Sequence, residues 1–108
     1  MIPGVEVTIG EKKYTMPPLS LGQLRNGVML KLKEHDEAIE QSKGYEASVL
    51  KGEIVLEALK RNYPELTLDS VEFDFGNINE LWLVALGLSG FKPGETPATR
   101  ETPSGDGT

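Results

Sequence analysis

The chain contains no cysteine. That excludes disulfides, thiolate metal sites and a cysteine nucleophile, and it fits a reducing compartment. It has one histidine, His35, so the common multi-histidine metal site cannot be built. No serine stands in a nucleophile-elbow pattern, and no glycine-rich stretch carries the lysine and serine or threonine of a phosphate loop. Basic residues never cluster beyond pairs such as Lys12-Lys13 and Lys60-Arg61. With 17 acidic and 11 basic residues the net charge is −6, which repels nucleic acid and anionic lipid. The longest near-apolar run, "LWLVALGL" at 81–88, is far short of the roughly 20 residues a bilayer requires. The opening "MIPGVEV" has no basic region leading into a long apolar run, so no secretory signal is expected.

What remains, in 108 residues, is material for one small domain. Such a domain buries roughly 60–70% of the surface its unfolded chain exposes, enough for one modest core. The spacing predicts an α+β fold, mainly α, over 1–91, in which an N-terminal β-hairpin packs on three main helices.

The hairpin is expected over 4–17. Val5, Val7 and Ile9 share one face, Gly10-Glu11 suits a type II′ turn, and "KKYTM" returns. Pro17 and Pro18 end the pairing, since neither donates a ladder hydrogen bond. Ser20 and Gln23 form a capping-box pair for a helix over about 20–41. Its apolar stripe is Leu21, Leu24, Val28, Leu32, His35 and Ile39, with Met29 and Leu30 off the stripe. Gly27 weakens it and invites a kink, and Gly44 is the expected C-terminal glycine.

A central helix follows over about 45–63. One stripe runs through Tyr45, Val49, Gly52, Leu56, Leu59 and Tyr63, a second through Ala47, Leu50, Ile54 and Ala58. Two stripes imply burial on two sides, and Gly52 suits a close helix crossing. Lys60 and Arg61 complement the dipole in its last turns, and Pro64 stops it. The stretch "ELTLDSVEFDFGN" reads either as an alternating strand or as a short helix capped by Thr67; the short helix, then a loop to Gly76, is the preferred reading. The last helix, about 77–89, is capped by Asn77 with Glu80 as its partner. It is apolar nearly all round, which is hard for so small a domain to bury completely. Residues 92–108, with three prolines and three glycines, cannot repay their ordering entropy and are expected to be a disordered tail.

Few residues offer chemistry. His35 lies beside Glu34 and Asp36, and its ordinary role is a partly buried or interfacial histidine. Glu34, Asp36, Glu37 and Glu40 read as a solvated helix face beside Lys31, Lys33 and Lys43, not as a metal or hydrolytic site. Trp82, the lone tryptophan, either fills the core or anchors an interface. If the final helix leaves apolar surface uncovered, Trp82, Leu83, Val84 and Leu86, with Met29 and Leu30, are the candidate partner-binding residues.

The order of these features resembles a family. "VTIGEKKYTMPPLSLGQL" is similar to the opening of small tail assembly chaperones of Mu-like and related long-tailed phages and prophages. The matching positions are Pro17, Pro18, Leu19, Leu21, Gly22, Gln23, Leu24 and Arg25, then Arg61, Asn62, Pro64, Leu66 and Thr67. The turn Gly76-Asn77 into an apolar helix ending at Leu88 also looks similar, so the resemblance spans about 4–91. The chain departs at "DSVEFDFG", where a plainer helical acidic segment would stand. The resemblance implies a non-enzymatic protein without cofactors, working in the cytoplasm of the bacterial host. Its partner would be the tail tape measure protein, whose apolar helical segments it keeps soluble until tail tube polymerisation. It further implies contact with the tail tube protein and with a frameshifted longer form of itself. Self-association without client is expected from an exposed apolar patch. The competing expectation is a structural tail completion or connector subunit retained in the particle; a small hydrolase would instead need a convergent polar constellation.

Overall fold

The computed structural model describes residues 1–90. It holds a two-stranded antiparallel hairpin followed by helices, the fold class the spacing predicts. The predicted tail at 92–108 lies outside the described residues.

Strands β1 (Val5–Ile9) and β2 (Lys12–Met16) pair in a continuous register from Val5 opposite Met16 to Ile9 opposite Lys12. Gly10 takes φ 65°, as the first central position of a type II′ turn requires. Val7, Ile9, Tyr14 and Met16 face the core. Gly4 also has no alternative: a Cβ there would run into the backbone of Met16.

Ser20 and Gln23 make the full reciprocal capping box, Gln23 N–H to Ser20 Oγ and Ser20 N–H to Gln23 Oε1, both at 3.0 Å. The helix they open is interrupted. After α1 (Leu21–Gln23) comes a π-helical turn, Leu24–Val28, in which Gly27 leaves helical geometry, and then α2 (Met29–Glu40). The π turn inserts one residue, which rotates everything before it by roughly 100° relative to α2. The single predicted stripe is therefore broken. Leu21 points to solvent, and at the far end Ala38 is buried while Ile39 is exposed.

α2 ends differently from expectation. Ser42, at φ 59°, is the left-handed residue, and Lys43 N–H and Ser42 N–H bond back to the carbonyls of Ala38 and Ile39. This is a Schellman motif with serine where glycine usually sits. Gly44 instead begins α3 (Gly44–Leu59).

α3 is the central helix, packed against α2 on one side, α4 (Ile78–Leu88) on another and β2 at its end. It stops at Leu59, four residues before the predicted end. Lys60 and Arg61 thus lie past the helix rather than in its last turn. The next three residues tie the helix to the hairpin. Arg61 Nη1 donates to Pro18 O at 2.7 Å. Asn62 accepts from Ile2 N–H and donates to both Ile2 O and Thr15 O. Tyr63 Oη accepts from Thr15 N–H, and its ring meets Tyr14 edge-on at 5.2 Å.

Between Leu59 and Ile78 the chain forms turns only. The predicted short helix is reduced to a single turn, Thr67 and Ser70 exchanging side-chain and backbone hydrogen bonds, with Val71 buried behind it. Asn77 does not cap α4 with its side chain; its Oδ1 turns back to accept from Asp74 N–H.

Candidate functional site

α4 is apolar all round, yet its burial follows a regular stripe: Ile78, Leu81, Trp82, Ala85 and Leu86. This is the i, i+3, i+4, i+7, i+8 pattern of an amphipathic helix on a core. Trp82 is 5% exposed and Leu86 4%. Both leave the predicted partner-binding set, because α2 and α3 enclose that face. Val84 is half-buried against the core, while Leu83 remains 41% exposed. Met29 and Leu30 are exposed on α2. The predicted strip is thus divided between core and surface.

His35 packs against Trp82. Its imidazole lies against the indole, centroids 4.7 Å apart and planes tilted by 35°. Its Nδ1–H donates to Asp36 Oδ1 at 3.3 Å. Burial holds the imidazole below its ordinary value of 6.5; the Asp36 hydrogen bond opposes this and the Lys51 charge assists it. Nε2 of His35 and Oδ2 of Asp36 have no hydrogen-bond partner among the described residues. Asp36 is therefore half-buried against His35 and is not part of a solvated acidic face, and Lys31 pairs across to Glu53 of α3 at 3.0 Å. Neither His35 nor Asp36 lines any of the clefts described below. Among the described residues no group of three or more His, Asp or Glu side chains is arranged to hold a metal ion.

An apolar opening lies elsewhere. A groove of about 300 Å³ runs between the first half of α3 and the loop before α4. Tyr45, Ser48, Val49 and Gly52 line it from α3; Leu68, Phe73, Asp74 and Phe75 line it from the loop, and Ile78 from α4. Tyr45, Val49 and Gly52 recur at helical spacing and share one face. Gly52 supplies the floor. A Cβ there would stand 3.6 Å from Phe73, 3.7 Å from Leu68 and 3.9 Å from Ile78, all ordinary contact distances. The glycine therefore serves no close helix crossing; it faces the loop. Two aromatic rings stand open to solvent, Tyr45 at 72% and Phe75 at 70% exposed.

Sequence reasoning missed this site. The spacing places Tyr45 and Gly52 on a stripe of the central helix expected to be buried, and Phe75 in the loop to Gly76. The available signal was Phe75 between Asp74 and Gly76, an aromatic in a polar turn with nothing local to cover it.

Two further clefts are lined mostly by polar residues. One of about 430 Å³ sits at the π turn, between Asn26, Gly27, Lys31 and Glu57, and one of about 220 Å³ lies between Glu11, Tyr14 and Glu72. Neither brings a nucleophile to a base. Among the described residues no helix is long and apolar enough to cross a membrane.

No known family model matches the chain, and no curated protein or solved structure is significantly similar to it.

Proposed function

We propose that the protein is a non-enzymatic tail assembly chaperone of a long-tailed phage or prophage. In this reading it binds apolar helical segments of the tape measure protein in the host cytoplasm. It keeps them soluble until tail tube subunits polymerise around them.

The observation that carries the reading is the groove with its two open aromatic rims, Tyr45 and Phe75, on a strongly acidic chain. An amphipathic helix presents side chains at i, i+3 or i+4 and i+7, and such a row lies naturally along a groove between a helix and a loop. Aromatic rims cover apolar area at a low cost in side-chain entropy. A small groove gives modest affinity, which suits a client that must later be released. The net charge of −6 keeps a complex with a sticky client dispersed. The likeness of the Pro-Pro corner and the Arg61-Asn62 corner to the phage chaperones supports the same reading.

Co-expression with the tape measure protein tests it. The wild-type chain keeps the long protein in the soluble fraction, and a Tyr45→Ser, Phe75→Ser double variant of normal stability does not. Purified phage particles lack the chain. Retention in fixed copy number would instead assign a structural tail completion subunit, and insolubility of the client with wild type would remove the chaperone reading.

A further inference from the structure

We infer that β1 is a docking edge for a second copy of this chain, the two β1 strands pairing antiparallel about a two-fold axis at Val7 to make a four-stranded sheet.

A two-stranded sheet has two outer edges, and here only one is closed. Tyr63 Oη accepts from Thr15 N–H at 2.9 Å, and Asn62 Nδ2 donates to Thr15 O at 3.0 Å. Both backbone groups of Thr15 therefore point away from β1. In an antiparallel ladder, opposite residues turn their backbone groups the same way, inward or outward, and the sense alternates along the strand. Glu6, opposite Thr15, must present its N–H and C=O to the outside, and so must Thr8, opposite Lys13. Among the described residues no backbone or side-chain group bonds to them there.

The edge is only lightly protected. Val5–Ile9 contains no proline, no lysine and no bulge. Its one charge is Glu6.

The strand's own sequence selects a copy of itself as occupant. Pairing about Val7 sets Glu6 opposite the second copy's Thr8, and Thr8 opposite its Glu6. All four outward-facing residues then exchange backbone hydrogen bonds, and each carboxylate meets a hydroxyl. Val5, on the core-side face yet exposed, comes beside the second copy's Ile9. The neighbouring registers are worse. An axis at Glu6 places two carboxylates directly opposite, which is unfavourable. An axis at Thr8 sets Glu6 against the second copy's Gly10, which lies in the turn. This surface is separate from the proposed client groove, which no β1 residue lines.

Sedimentation of the full chain up to about 1 mM, with amide exchange, tests the inference. The wild type is expected to dimerise, with Glu6 and Thr8 amides gaining protection as concentration rises. Thr8→Pro removes an outward N–H without breaking the hairpin ladder and should give a monomer. Thr8→Glu should weaken the dimer and Thr8→Lys tighten it, each by about 2- to 30-fold, from two symmetric cross-strand pairs. Both changes are at an exposed position and leave the fold intact. A wild type monomeric throughout would overturn the inference. So would a dimer indifferent to the three Thr8 variants, one broken by Tyr45→Ser, or protection of Glu6 and Thr8 that arises only when client is added.

Discussion

The imidazole of His35 lies against the indole of Trp82, centroids 4.7 Å apart and planes tilted by 35°, so the only histidine and the only tryptophan of the chain share one buried contact. Stability should follow pH through this pair. Burial lowers the folded-state pKa of His35 below 6.5. Above that value the ring is neutral in both states and its contribution is constant. As pH falls through the unfolded value, the unfolded chain takes up a proton that the folded one resists, and stability declines until the folded value is passed. Urea unfolding at pH 7.5 and pH 5 should show a larger loss for wild type than for His35→Phe, which keeps the stacked ring but does not titrate. Equal losses would contradict this.

Trp82 itself should behave as core. Trp82→Ala is expected to cost about 3–5 kcal/mol in denaturant unfolding. Leu83→Ala, on the outward face of the same helix, should cost less than about 1 kcal/mol.

Asn62 stands in for a missing strand, serving Ile2 N–H, Ile2 O and Thr15 O at once. Asn62→Ala leaves these part-buried groups without their partner, and a loss of about 1–3 kcal/mol is expected. Amide exchange should locate the loosening at Ile2 and along β2, with α4 unaffected.

Ser42 holds φ 59° at the end of α2, where an L side chain is strained. Ser42→Gly should raise stability, by up to about 1 kcal/mol after the added freedom of glycine in the unfolded chain is set against it. Thermal unfolding reads the change directly, and a lower midpoint would contradict it.

These features differ in how visible they are before folding. The hairpin and the Ser20-Gln23 box were legible because each is fixed within a few residues by turn chemistry and capping. Helices α2 and α3 were legible from apolar spacing, and α4 from its nearly unbroken apolar run after Asn77. The break at Gly27 was legible as a kink, but its π-helical form was not, because an inserted residue leaves no trace in a stripe that still reads Leu21, Leu24, Val28. Nor was the clamp of Asn62 and Tyr63 on Thr15, which joins residues 47 and 48 positions apart. The facing of α4 was undetermined because a helix apolar on nearly all sides gives little direction; packing on α3, with His35 of α2 against Trp82, sets it. The groove escaped notice for a related reason. Gly52 marks a place where something approaches a helix, and only the fold says that it is a loop carrying Phe73.

Gly52→Ala separates stability from binding. The added methyl has ordinary contacts and removes a helix-interior glycine, so the fold should gain roughly 0.5–1 kcal/mol. The same methyl raises the floor of the groove and should weaken client binding. A variant both more stable and equally competent would place the client elsewhere.

The most direct measurement is a titration of isotopically labelled protein with a peptide from an amphipathic helix of the tape measure protein, followed by amide shifts. The account predicts saturable shifts at Tyr45, Val49, Gly52, Phe75 and Ile78, abolished in the Tyr45→Ser, Phe75→Ser variant. Shifts confined to Met29, Leu30 and Leu83, or no binding at all, would contradict it.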